Sequence, residues 1–181
     1  AAHGAINIVY SIYIAGLGYS KSVVGGLFSL GVVAEIAMFF FMSRVMRRYS
    51  LRRILIASFA VAVGRFLLIA WFPNLLVLVF AQTLHSLTFG AFHAASIAAI
   101  NHWFRGRARA RGQALYSSLA FGAGGLVGGL ISGWSWDHLG AGVTFTLSSL
   151  FALIGLVLVV KWVVMKDEVS TDEPGVSNAV D

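Results

Sequence analysis

Two formal charges lie well inside apolar runs of the sequence, and they are the first candidates for chemistry. Glu35 interrupts one run and Arg65 interrupts the next. An ionised side chain at mid-bilayer costs about 2.5–3.5 kcal/mol, so such residues usually face the interior of a helix bundle and find a partner there. Two interpretations stay open: a structural ion pair between Glu35 and Arg65, and a proton-carrying site at Glu35.

Two further runs carry polar side chains at helical spacing. At about 100° per residue, each run gathers its polar and aromatic side chains on a single face. Such a face cannot contact lipid, so it lines a cavity or makes interhelical hydrogen bonds in a packed bundle, and both alternatives stay open. The first stripe consists of His3, Asn7, Tyr10 and Ser11, and the second of Gln82, His85, Ser86, Phe89, His93 and Ser96.

The elements that must position these residues are apolar helices. Of the 181 residues, 59% are hydrophobic and 11% are charged, whereas soluble domains carry about 25% charged residues. A spanning helix needs roughly 20 apolar residues, and six stretches qualify, the first of them short. The sequence therefore predicts an all-α polytopic membrane protein with a six-transmembrane-helix bundle, its spans being 2–17, 23–42, 54–72, 75–100, 112–134 and 143–164.

Basic residues are concentrated in two of the inter-helix segments, 43–53 and 101–111, whereas Lys21 is the one Lys or Arg of the opposite loops. The positive-inside rule places those two segments, and with them both ends of the six-helix unit, in the cytoplasm. Short inter-helix loops offer no folded basic surface, which argues against nucleic-acid binding. We expect a membrane domain over 1–165 and a disordered acidic tail over 166–181.

The fifth stretch is rich in glycine, with G-x-x-x-G pairs at Gly124/Gly128, Gly125/Gly129 and Gly129/Gly133. Small residues at this spacing let helix backbones approach closely, which predicts a static packing interface or a helix that slides on its partner. The absence of cysteine excludes thiol chemistry. The common phosphate-loop, zinc-protease and serine-nucleophile motifs are missing as well, so we expect neither an enzyme nor a cofactor or metal site.

The residues resemble the C-terminal six-helix half of a major facilitator superfamily transporter, in its phenylpropionate permease and nucleoside/proton symporter-like branch. The likeness rests on segments 10–36, 82–100 and 105–145 and on the helix spacing. One departure is that Arg47 stands where the superfamily's basic-loop motif has a gating Asp. The resemblance implies that the six helices are the seventh to the twelfth of the family. Its seventh and tenth helices line the central cavity, and these are the two helices with polar stripes.

The resemblance implies secondary active transport by alternating access, together with an N-terminal six-helix half, in a bacterial-type inner membrane. We expect proton symport of a small organic solute, an aromatic carboxylate such as a phenylpropionate-like compound. The alternative is a non-transporting structural or assembly module that packs through the glycine-rich fifth helix. The predicted proton-coupling residues are Glu35, Arg65, His85 and His93, and the predicted substrate-binding residues are His3, Asn7, Tyr10, Gln82, Phe89 and Tyr116. The chain begins with Ala1 inside an apolar run, from which we expect a fragment or a processed piece.

Overall fold

The structure, a computed structural model, describes residues 1–163, and these are helical with no strand. The predicted acidic tail over 166–181 lies outside the described residues. Two of the long helices each contain one six-residue π-helical segment, and these segments are named π1 and π2. In chain order the elements are α1 (Gly4–Ile8), α2 (Tyr10–Gly16), α3 (Lys21–Arg48), α4 (Leu51–Trp71), α5 (Leu75–Thr83), π1 (Ser86–Ala91), α6 (Phe92–Trp103), α7 (Ala108–Ser117), π2 (Ser118–Ala123) and α8 (Gly124–Trp162).

Polar caps fix where three of the long helices begin. The Ser20 and Ser50 hydroxyls accept hydrogen bonds from the backbone N–H three residues ahead, each at 3.4 Å, and the Asn74 side chain does the same at 3.0 Å. A cap of this kind satisfies one of the free N–H groups in the first helical turn. The helices also extend past the apolar stretches, since α3 continues through Arg48. Most of the predicted basic loop over 43–53 is therefore helical.

Gly140 divides the long helix α8 into two antiparallel arms. Its backbone has φ 79° and ψ 177°, a conformation that glycine adopts without strain. Residues nine positions apart in a straight helix would lie about 13.5 Å from each other. Ser135 nevertheless donates a 3.0 Å hydrogen bond to Thr144, so the chain reverses direction between them. If α1 and α2 are counted together as one membrane-spanning segment, residues 1–163 form six such segments, as the sequence predicts.

Helix α4 is the central helix of the bundle, and its side chains belong to both apolar clusters of the core. At one end Phe66 and Ile69 are fully buried with Phe145, and the Tyr13 hydroxyl donates a 2.8 Å hydrogen bond to the Ile69 carbonyl. At the Arg-rich end, Ile54 packs with a second apolar cluster drawn from α3, α6 and α8. Buried apolar packing on two levels holds α4 in a fixed rotation, which determines where Arg65 points.

The outer surface of the described bundle is apolar. Phe40, Leu76 and Trp162 are 70–82% exposed, and four helices are long and apolar enough to cross a membrane. These four are Lys21–Arg48, Leu51–Trp71, Leu75–Trp103 and Ala108–Trp162, the last of which contains the reversal at Gly140. Exposed apolar side chains on long helices belong in lipid or against other membrane helices. The architecture is that of an all-α multi-pass membrane protein.

One of the predicted glycine pairs makes a close helix contact. A Cβ atom on Gly4 would overlap the Gly128 backbone, and one on Gly128 would overlap the backbone of Ala1. Gly124 faces the same chain end, with the Ala1 nitrogen 3.2 Å from where its Cβ would be. The prediction of a packing interface at Gly124/Gly128 is therefore confirmed, and the partner is α1 of the same chain. Gly125 and Gly133 of the other pairs face open space.

Candidate functional site

A cavity of about 300 Å³ lies between α1, α4, π1 and π2. Its walls are mostly apolar, with the rings of Phe89, Phe92 and Phe121 among them. The polar side chains on its lining are few, which is typical of a site for a small organic molecule. They are His3, Asn7, Ser58, Thr88 and Tyr116.

The predicted polar stripe of the fourth span forms a ladder of stacked rings. The His85 and Phe89 rings are nearly parallel with centroids 5.3 Å apart, and the Phe89 and His93 rings follow at 6.1 Å. His3 approaches the ladder edge-on, 5.7 Å from both His85 and Phe89. The Tyr116 hydroxyl lies 3.4 Å from His93 Nδ1. The two predicted stripes therefore meet, and the shared helical face of His85, Phe89 and His93 is confirmed.

Glu35 pairs with His85, with 3.7 Å between its carboxylate and Nε2. Both side chains are about one-fifth exposed on the surface of the described bundle. Two glycines permit the approach of α3: a Cβ on Gly90 would lie 3.1 Å from the Glu35 side chain, and one on Gly31 would lie 3.1 Å from Gln82. This pair combines a carboxylate and an imidazole, two groups that can exchange a proton.

Arg65 is fully buried and has only neutral hydrogen-bond partners. Its Nε donates to the Ala81 carbonyl at 2.7 Å, and Nη1 donates to Thr88 Oγ1 at 2.9 Å. Longer contacts join Nη1 to His3 Nε2 at 3.5 Å and Nη2 to Gln82 Oε1 at 3.4 Å. Four groups from the first and fourth spans therefore surround the guanidinium.

The predicted pairing of Glu35 with Arg65 is wrong. Among residues 1–163, the one basic side chain within 4.0 Å of the Glu35 carboxylate is the His85 imidazole, and Arg65 has no carboxylate at that distance. The reason is the position of the helix Leu75–Trp103, which packs against both α3 and α4. His85 of this helix contacts Glu35, whereas Thr88 and Gln82 of the same helix contact Arg65. Each of the two charged side chains therefore has its contacts with this helix and not with the other.

The remaining predicted residues divide into two groups. His3, Asn7, Phe89 and Tyr116 line the cavity. Tyr10 and Gln82 lie outside its lining and are buried, with Tyr10 packed edge-on against Phe28 and Phe145. Within residues 1–163, no three His, Asp or Glu side chains come together as ligands for a metal ion.

Sequence reasoning missed Thr88 and Phe121, which the two π segments place on the cavity wall. On a regular α-helix, Thr88 would lie on a different face from the polar stripe. The wider turn of π1 rotates Thr88 toward the cavity. The sequence contains a signal for these segments, a nearly repeated hexapeptide. It is S-L-T-F-G-A over 86–91 in π1 and S-L-A-F-G-A over 118–123 in π2. The Phe89 and Phe121 rings of the two segments lie 6.2 Å apart. π-helical turns are rare and are often found at functional sites.

Comparison with known proteins agrees with this architecture. The model of the MFS_1 like family matches residues 1–147. The chain belongs to this family. Membership confirms the resemblance to the major facilitator superfamily.

A curated relative matches as well. The chain is 36% identical over 157 residues to the probable 3-phenylpropionic acid transporter of Escherichia coli (strain K12), and the match covers 87% of this chain. It covers 41% of that protein, so the chain spans less than half the length of its relative. No solved structure gives a significant match.

Proposed function

We propose that the chain is the C-terminal half of a secondary active transporter that carries a small aromatic carboxylate together with a proton. The observation that carries the proposal is the aromatic cavity of about 300 Å³ with the partly exposed Glu35–His85 pair beside it. The rings of Phe89 and Phe121 suit a phenyl group. The similarity to the probable 3-phenylpropionic acid transporter supports the same solute class.

Alternating access requires two halves that rock about a central site, so the proposal includes an N-terminal six-helix half. The exposed apolar faces of the bundle give such a partner a surface to pack on. We place the protein in the inner membrane of a bacterium, with both ends of the six-helix unit and the Arg-rich ends of α3, α4 and α7 in the cytoplasm. The nine arginines of segments 43–53 and 101–111 support this orientation.

The alternative, an assembly module that uses the glycine-rich helix, is less well supported. Gly124 and Gly128, the pair with the closest helix contact, pack on α1 of the same chain. They are therefore not free to bind another protein.

The test is uptake of labelled 3-phenylpropionate by proteoliposomes that contain the product of the complete open reading frame. An inward proton gradient should drive accumulation above the external concentration, and a protonophore should reduce the internal concentration to the external one. Benzylamine, which has a phenyl ring and a positive charge, is the control solute and should not accumulate. Absence of any protein-dependent uptake would refute the transport proposal, whereas equilibration without accumulation would refute only the proton coupling.

A further inference from the structure

Arg65, Gln82 and Tyr10 form a cluster that is rich in hydrogen-bond donors and poor in acceptors, named here the donor cluster. Gln82 Nε2 and the Tyr10 hydroxyl are buried and have no hydrogen-bond partner within residues 1–163, as is also the case for His85 Nδ1 outside the cluster. Tyr10 neighbours Gln82, and Gln82 Oε1 accepts from Arg65. Buried donors are nearly always paired in folded proteins, so two unpaired donors beside a buried cation indicate a place for an acceptor.

The donor cluster also carries an uncompensated positive charge. Arg65 is fully buried, and its four partners are a backbone carbonyl, a hydroxyl, an amide and an imidazole. The two acidic residues within 1–163 are engaged or distant: Glu35 pairs with His85, and Asp137 is exposed near the reversal of α8. Since a buried charge is costly unless an opposite charge meets it, the site favours an anion.

The edge of the Arg65 guanidinium formed by Nη1 and Nη2 is available for a ligand. The two short bonds, from Nε to Ala81 and from Nη1 to Thr88, hold the side chain in place. The contacts of the two terminal nitrogens with His3 and Gln82, at 3.5 and 3.4 Å, are long and weak. A carboxylate can replace these two contacts with a pair of parallel N–H···O bonds, the geometry for which arginine is best suited.

The free edge lies directly behind the cavity wall. His3 and Thr88 line the cavity, and both contact Arg65 Nη1. A displacement of the His3 ring, which is held by edge contacts with Phe66 and the ring ladder, would open the cavity to the guanidinium. An aromatic acid lying in the cavity against Phe89 and Phe121 would then direct its carboxylate toward the donor cluster.

We propose that Arg65 is the carboxylate anchor of the solute site, with Gln82 as the second donor. This role differs from proton coupling, and it rests on the proposed transport of an aromatic carboxylate. It assigns the preference for an acid over a neutral analogue to one side chain, because the cavity lining itself carries no arginine or lysine.

The experiment compares 3-phenylpropionate with 3-phenylpropanamide, which has the same ring and chain length but no charge. Affinities come from ligand-dependent thermal stabilisation of the purified product of the complete open reading frame. The wild-type protein should bind the acid about ten- to hundredfold more tightly than the amide, the range for hydrogen bonds to a charged group. Arg65→Gln should lose that preference while amide affinity stays within about threefold. Arg53→Gln, an exposed arginine of the same helix, is the matched control and should change neither affinity.

The outcomes separate the two proposals. If neither compound stabilises the wild-type protein, the proposed solute class fails. If the acid is preferred and Arg65→Gln retains the preference, the anchor is refuted. If Arg65→Gln does not fold, Arg65→Lys and Gln82→Leu decide: each should weaken acid binding at least about threefold without changing amide binding, because Lys has no bidentate fork and Leu has no donor. Equal losses for both compounds would refute the anchor.

Discussion

The Glu35–His85 pair and the donor cluster around Arg65 contact the same helix but differ in access and in partners. The pair is about one-fifth exposed and consists of two titratable groups, a carboxylate and an imidazole. Arg65 is fully buried and held by neutral groups. A group that exchanges protons needs a path to water, whereas a group that supplies a permanent charge does not. Under the proposed proton symport, we expect the pair to change its charge during transport and Arg65 to keep its charge.

The largest effect is expected at Glu35. Glu35→Gln keeps the shape of the side chain but removes the exchangeable proton, so the accumulation ratio of 3-phenylpropionate should fall to about 1 while solute exchange continues. Uptake and counterflow in proteoliposomes measure the two activities separately. Asp137→Asn, which neutralises an exposed acid near the reversal of α8, is the control and should accumulate solute as the wild-type protein does. Uphill transport by a well-expressed Glu35→Gln protein would refute the proposed role of Glu35 in proton coupling.

An intermediate effect is expected at Phe89, whose ring stacks on His85 of the pair and approaches His3 beside Arg65. Phe89→Ala removes a cavity wall and should weaken binding of the acid and of the amide alike, by about ten- to hundredfold. Ligand-dependent thermal stabilisation by the acid and by the amide measures the two affinities. Phe80→Ala, an exposed ring on the same long helix, should leave both affinities unchanged. A loss confined to the acid would instead assign Phe89 to the donor cluster.

The smallest effect is expected from combining changes in the two regions. Because Glu35 and Arg65 are not paired, the stability changes of Glu35→Gln and Arg65→Leu should add to within about 0.5 kcal/mol in the double variant. A double-mutant cycle, with unfolding monitored in detergent, gives this coupling energy. Rescue of Glu35→Gln by Arg65→Leu would show that the two charges form a pair after all, and it would remove the distinction between the two regions.

Much of the fold was predictable because lipid imposes a simple rule on sequence. Apolar stretches of roughly 20 residues predict the membrane-spanning segments. Helical periodicity predicts the two polar faces, and the structure places His3 of the first face against the ring ladder that begins at His85 of the second. Helix ends were predicted less well: α3 extends to Arg48 because charged side chains at a helix end reach past the apolar region.

The partner of Arg65 was not predictable from the same rules. Sequence position gives the depth of Glu35 and Arg65 along their helices but not which helix lies between them. That information depends on the packing of Leu75–Trp103 against both α3 and α4. Thr88 was missed for a different reason, since periodicity arguments assume a constant rotation per residue and π1 breaks that assumption.

The π segments have a consequence for how related sequences should be aligned. A π turn is an α-helix that has accepted an extra residue, and losing that residue restores regular winding while rotating everything beyond it. For π1 the part beyond includes His93, and for π2 it includes Gly124 and Gly128, which contact α1. We therefore expect a relative that lacks one residue within 86–91 or 118–123 to present other faces of the same helices.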